Sequence, residues 1–146
     1  MKKEDLPNKI AVFPLSNFII FPQTTVPLNI FEPRYIQMID DSMKGNRMIG
    51  IIQPKKFGDL KKPNLYDVGC AGKITSFNET EDGRYLIVLN GICRFRIISE
   101  EKNEKLFRVC KISFAEYLED LNKKNEDIKF TDLKLIFDKL KSFFKK

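Results

Sequence analysis

The sequence reads as an α+β chain, mainly β: a small, partly open barrel of antiparallel strands, with one helix after the second strand and a C-terminal helical tail. Three observations carry this reading. Between residues 9 and 114, short apolar runs are punctuated by Pro, Gly and an Asp-Gly pair, the marks of closely spaced strands and turns. A single helical spacing interrupts them near residue 35. After residue 114 neither Gly nor Pro occurs and the apolar spacing becomes helical.

The elements follow in order. Residues 9–15 form a strand in which Pro14 implies an edge or a bulge, and Ser16-Asn17 is a turn signal. Phe18-Ile19-Ile20-Phe21 is an apolar run closed by Pro22, and residues 24–31 read as a second strand. Pro14, Pro22 and Pro27 cannot all occupy central ladder positions, because each lacks a backbone donor. This part is therefore expected to be irregular, with short strands and a protruding apolar loop. Pro33 suits the first turn of a helix, whose apolar stripe is Tyr35, Ile36, Met38, Ile39 and Met43, with Gly45 as its stop.

Residues 47–54 read as a buried strand, 55–66 as a basic loop, and 67–77 as a strand that Gly69 and Gly72 allow to bend. Glu81-Asp82-Gly83 is a hairpin turn and residues 84–90 pair back. Gly91 marks a bulge or tight bend, residues 93–97 alternate at period two, and residues 107–114 form the last strand. Beyond them, Thr131 or Asp132 caps a helix in which Leu133, Ile136, Phe137, Leu140, Phe143 and Phe144 share one face. The expected division is a barrel over residues 1–114 and a helical tail over 115–146, the start of a longer helical region.

Composition excludes several classes of function. With 42% hydrophobic and 32% charged residues, the chain is globular. No run approaches the ~20 apolar residues that cross a bilayer, and the charged N-terminus lacks the apolar core of a signal peptide, so a cytoplasmic location is expected. There is no histidine, which removes Ser-His and Cys-His pairs and His-containing metal sites. Three separated cysteines, Cys70, Cys93 and Cys110, are too few for an all-thiolate zinc site and read as small core residues. No phosphate-cradling Gly-rich loop ending in Lys-Ser or Lys-Thr is present. No catalytic residue, metal or cofactor is expected. The net charge is +6, and residues 1–114 hold 18 Lys and Arg against 13 Asp and Glu.

Three blocks of residues resemble one family. Phe13-Pro14-Leu15, Phe21-Pro22 and residues 26–35 (Val-Pro-Leu-Asn-Ile-Phe-Glu-Pro-Arg-Tyr) look like the opening of the Lon protease N-terminal, or LON substrate-binding, domain. Residues 66–74 resemble its second block, and residues 82–88 with 90–97 its third. They cover roughly residues 9–114 in the family's order. The resemblance implies a PUA-like pseudo-barrel of about six strands. It also implies a non-catalytic polypeptide-binding module that captures unfolded or tagged chains in protein quality control. The ATPase and Ser-Lys peptidase parts of the family's full protease have no counterpart in these residues. A stand-alone member and a truncated piece both fit the resemblance, and the end within an amphipathic stretch favours truncation. Partners would be unfolded or tagged polypeptides, with a protease or self-association alongside, and no membrane.

Candidate binding residues remain open to two readings each. Phe18, Ile20 and Phe21 belong to an exposed apolar loop that grips polypeptides, or to core. Glu32 and Arg34 contact a substrate, or serve the helix start and a local ion pair. Lys55, Lys56, Lys61 and Lys62 support an alternative, RNA binding of the PUA type, or form a solvated loop. Arg94 and Arg96 alternate with Phe95 and so share a face that meets water, RNA or a partner.

Overall fold

The computed structural model describes residues 1–16, 18–55 and 64–121. Six strands carry the architecture: β1 (Lys9–Pro14), β2 (Thr25–Ile30), β3 (Met48–Ile52), β4 (Val68–Glu79), β5 (Tyr85–Glu101) and β6 (Arg108–Ser113). One helix, α1 (Pro33–Met43), follows β2, and a 3-10 segment, Ala115–Leu121, follows β6. The helix expected at 131–144 and the loop bearing Lys56, Lys61 and Lys62 lie outside the described residues.

The strands are ordered β2-β5-β4-β3-β1-β6, and β6 returns to pair with β5. Five of them, β5-β4-β3-β1-β6, therefore make a ring, while β2 hangs outside it on the first half of β5. Strand direction alternates at each antiparallel joint, so a ring of an odd number of strands needs one parallel joint. That joint is β1–β3, where Val12 pairs with Gly50. The remaining pairings are antiparallel, as expected.

β5 is one strand of 17 residues rather than the two segments its glycine suggests. It can serve three partners because it curls. Register shifts lie opposite Ile92, where Gly72 pairs Gly91 while Ala71 pairs Cys93, and between Ile97 and Ser99. Bulges of this kind sharpen local twist. Gly91 sits at the first, in the place the sequence marks. The helix stop differs from expectation: Lys44 is the C-cap, and the left-handed residue is Arg47, with φ 61°, not Gly45.

Alternation along the strands sorts side chains into two apolar layers. Inside the ring, Ile10, Val12, Met48, Ile52, Cys93, Cys110 and Ile112 surround Phe95, which is fully buried. The tip of the Phe95 ring takes the room a side chain would fill, 2.8 Å from where a Cβ would stand on Gly50 or on Gly69. Tyr117, Leu118 and Leu121 of the 3-10 segment pack against this layer. On the outer face, Phe13, Ile49, Ile51, Ile74, Ile87 and Leu89 meet Tyr35, Met38 and Ile39 of α1. Each fully buried side chain of this size contributes about 1.5–3 kcal/mol. All three cysteines are buried.

Candidate functional site

Between β1 and β2 the chain lays residues 18–21 across the outer face. The turn Phe21-Pro22-Gln23-Thr24 fixes the far end. The Thr24 amide donates to the Phe21 carbonyl at 3.2 Å, and Pro22 precedes a left-handed Gln23, with φ 67°. The Gln23 amide then donates to the Gly91 carbonyl and the Gly91 amide to the Thr24 carbonyl, both at 2.8 Å. This contact requires glycine: a Cβ on Gly91 would stand 1.9 Å from the Phe21 oxygen. The apolar strip is thus clamped to the bulge of β5.

The strip forms one wall of a groove of about 520 Å³. Ile51, Ile52 and Cys70 line it as well, as do Tyr66, Asp67 and Val68 at the entry to β4. The Tyr66 amide donates to the Gln53 carbonyl at 3.0 Å, and Lys55 stands 5.8 Å from the Tyr66 ring centre. The lining is mostly apolar, which suits a hydrophobic ligand held by few polar contacts.

Arg94 and Arg96 also line the groove. Both are held from behind by the 3-10 segment. Arg94 donates to Asp120 Oδ2 from its backbone amide and from Nε, and to Oδ1 from Nη2, each at 3.0 Å. Its guanidinium also lies 4.7 Å from the Tyr117 ring centre. Arg96 forks Glu116 at 2.6 and 3.1 Å. Among the described residues Asp120 is the only buried charged side chain, as a paired and hydrogen-bonded carboxylate can be. The hydrogen bond from Arg96 holds the Glu116 carboxyl below its ordinary pKa. The face shared by Arg94 and Arg96 is thus met first by the chain's own acids.

Burial pushes the Cys70 thiol in the groove lining up to about 12, so it is protonated and inert near neutral pH. Among the described residues no group of three His, Cys, Asp or Glu side chains could hold a metal ion, and no helix is long and apolar enough to cross a membrane.

The sequence candidates separate. Phe18, Ile20 and Phe21 line the groove together. Phe18 and Phe21 are half-buried, whereas Ile20 is 4% exposed and belongs to the outer-face core. The residue missed is Ile19, 43% exposed. No signal marked it, because an unbroken apolar run carries no alternation to say which member faces out. The lining around Tyr66 was not singled out, because only long-range pairing brings it there. Glu32 and Arg34 pair with each other at 2.9 Å at the start of α1, with Arg34 stacked 4.7 Å from the Tyr35 ring centre, and neither lines the groove. Lys55 is exposed and borders a smaller cavity of about 290 Å³.

The ring, the clamped strip and the apolar groove define a mainly β domain with one candidate ligand groove. The model of the ATP-dependent protease La (LON) substrate-binding domain matches residues 9–146, and the chain belongs to that family. It is 28% identical over 126 residues to the Lon protease of Desulfosudis oleivorans, covering 84% of this chain and 15% of that protein. It is 30% identical over 105 residues to Lon protease 2 of Sorangium cellulosum, covering 69% of this chain and 13% of that one. The chain thus matches a small fraction of the length of these relatives. In fold it is similar to the Lon N-terminal domain protein from Xanthomonas campestris, with TM-score 0.60 and 24% identity over 73% of this chain and 59% of that one. The N-terminal domain of Mycobacterium avium complex Lon protease gives TM-score 0.55 and 15% identity over 73% of this chain and 54% of the other.

Proposed function

We propose that this domain captures unfolded or tagged polypeptides in the groove beside residues 18–21, as the recognition part of cytoplasmic proteolysis and protein quality control. It acts by apolar contact without bond-breaking chemistry, and unfolding and cleavage fall to a protease. The observation that carries this reading is the apolar groove of about 520 Å³ with Ile19 exposed at its lip. The family's description as the substrate-binding domain of protease La agrees with it. No comparable observation favours RNA. The groove's two arginines already fork Asp120 and Glu116, and Lys56, Lys61 and Lys62 lie outside the described residues.

The test is fluorescence anisotropy of the protein against a labelled unfolded polypeptide and a labelled single-stranded RNA, each at two salt concentrations. Apolar capture persists at high salt, whereas phosphate binding weakens steeply. Ile19→Ser is expected to weaken polypeptide binding by about fivefold, from partial loss of an isoleucine's burial, with unchanged unfolding. RNA binding that collapses with salt, and no polypeptide binding, would refute this function.

A further inference from the structure

We infer that the groove takes its polypeptide as an extended, uncharged strand that pairs main chain to main chain with residues 18–20. The inference rests on the polypeptide-capture reading of the groove and specifies how the ligand is held.

The first observation is a row of open backbone. Among the described residues no hydrogen bond reaches the main-chain N–H or C=O groups of Phe18, Ile19 or Ile20. On either side the chain is tied down. The Leu15 amide donates to the Ile52 carbonyl at 2.9 Å, the Phe21 amide donates to Thr24 Oγ1 at 3.2 Å, and the Phe21 carbonyl accepts from that hydroxyl at 2.6 Å. Folded chains leave few main-chain groups without partners. Three consecutive residues whose main-chain groups meet no partner among the described residues, on the wall of a groove, offer what an uncovered sheet edge offers.

The second observation is the disposition of the side chains. Phe18 is half-buried, Ile19 is 43% exposed, Ile20 is 4% exposed and Phe21 is half-buried. That is the alternation of a strand with one face on a core. Ile20 anchors the strip, and Ile19 stands free to flank an incoming chain.

The third is charge. The charged groups lining the groove are Arg94 and Arg96, each of which holds a carboxylate of the 3-10 segment, and Asp67, whose charge acts on Arg96. The groove therefore has little to offer a charged occupant and would tax its desolvation, so its complement is an uncharged apolar stretch. Such stretches are buried in native proteins and exposed in unfolded ones, so the same geometry selects non-native chains.

The experiment uses the full chain and three labelled, end-capped eight-residue peptides of one sequence alternating Val, Phe and Ser. One peptide is unmodified. The second is N-methylated at its odd positions and the third at its even positions, since only one edge of a strand faces its partner. The expected result is that the parent peptide and one methylated register bind alike, while the other register binds about tenfold or more weakly through loss of its donors. Equal binding of all three would overturn main-chain pairing and leave apolar capture standing. Equal loss in both registers would overturn it as well, pointing to exclusion of bulk. Failure of every peptide, with no binding of unfolded protein, would overturn the groove reading itself. Peptide-reversible self-association of the protein would make a second copy the occupant and overturn the proposal too.

Discussion

Replacing Gly91 with alanine would place a methyl carbon 1.9 Å from the Phe21 oxygen and 2.8 Å from the Phe21 carbonyl carbon. Non-bonded carbon and oxygen settle near 3.3 Å, so the strip and β5 must part by roughly 1.4 Å. Both hydrogen bonds that clamp them, Gln23 to Gly91 and Gly91 to Thr24, are 2.8 Å long and would stretch beyond useful range. Two neutral hydrogen bonds at about 1 kcal/mol each, with about 1–3 kcal/mol of overpacking, give a cost of about 3–5 kcal/mol. Urea unfolding reads this directly: with a slope near 2 kcal/mol/M, the midpoint falls by roughly 2 M. Polypeptide affinity should fall further than stability alone explains, because the wall of the groove moves. Gly45→Ala is the control, since the nearest atoms to its Cβ would be 3.8 and 4.0 Å away. It should change stability by less than about 0.5 kcal/mol. A Gly91→Ala variant with an unshifted urea midpoint and unchanged peptide affinity would refute the clamp.

Three other outcomes are expected. Arg94→Met should cost about 3 kcal/mol and Asp120→Asn about 1–2, measured by the same unfolding titration. The first removes charge-assisted donors from a buried carboxylate, whereas the second leaves a guanidinium that is 46% exposed and reaches water. Gln23→Gly should stabilise by up to about 1 kcal/mol, seen as a rise of a few degrees in melting temperature, because it relieves a left-handed φ of 67°. Stability should hold up to about pH 9 and decline above it. Burial raises the thiols of Cys70 and Cys93 from 9.0 to about 12 and that of Cys110 to about 11, and the bond to Asp40 raises Tyr85 from 10.0 to about 12. Over that window the unfolded chain has lost protons that the folded chain keeps, so folding weakens as pH rises. Cys70→Ala should flatten part of that decline, and an unchanged slope would count against it.

Much of the fold was legible because its signals are local. Pro33 opens α1, Gly83 closes the β4–β5 turn with φ 82°, and Gly91 falls at a register shift. Alternation in β5 put Arg94 and Arg96 on one face, and Cys93 and Phe95, on the other, are fully buried. The parallel joint was not legible, because pairing between β1 and β3 depends on closure of the ring and leaves no mark in either strand. The groove was half legible. Its strip is a contiguous apolar run, but Tyr66 and Asp67 reach it only through β3–β4 pairing. The partners of Arg94 and Arg96 lie 26 and 20 residues downstream, beyond the reach of any local pattern.

The odd strand count of the ring has a further consequence for how this domain can vary. Two parallel neighbours cannot be joined by a hairpin, so between Pro14 and Met48 the chain must return to the end from which β1 started. It does so outside the ring, and residues 18–21, β2 and α1 are all stations on that return path. The strip is therefore no dispensable insertion. The turn over residues 80–84 or the link over 102–105 could be shortened or made the new termini of a permuted chain, with every strand still finding its neighbours. The return path cannot be removed without reversing a strand. Ile19 can be exchanged, however, because it is exposed and the ladder of the ring depends on no side chain from 18 to 21, whereas Ile20 belongs to the core. On the proposed reading, a chain built on this plan would change what it holds by substitution at the exposed positions of one obligatory detour, while the closed part of the sheet stays as it is.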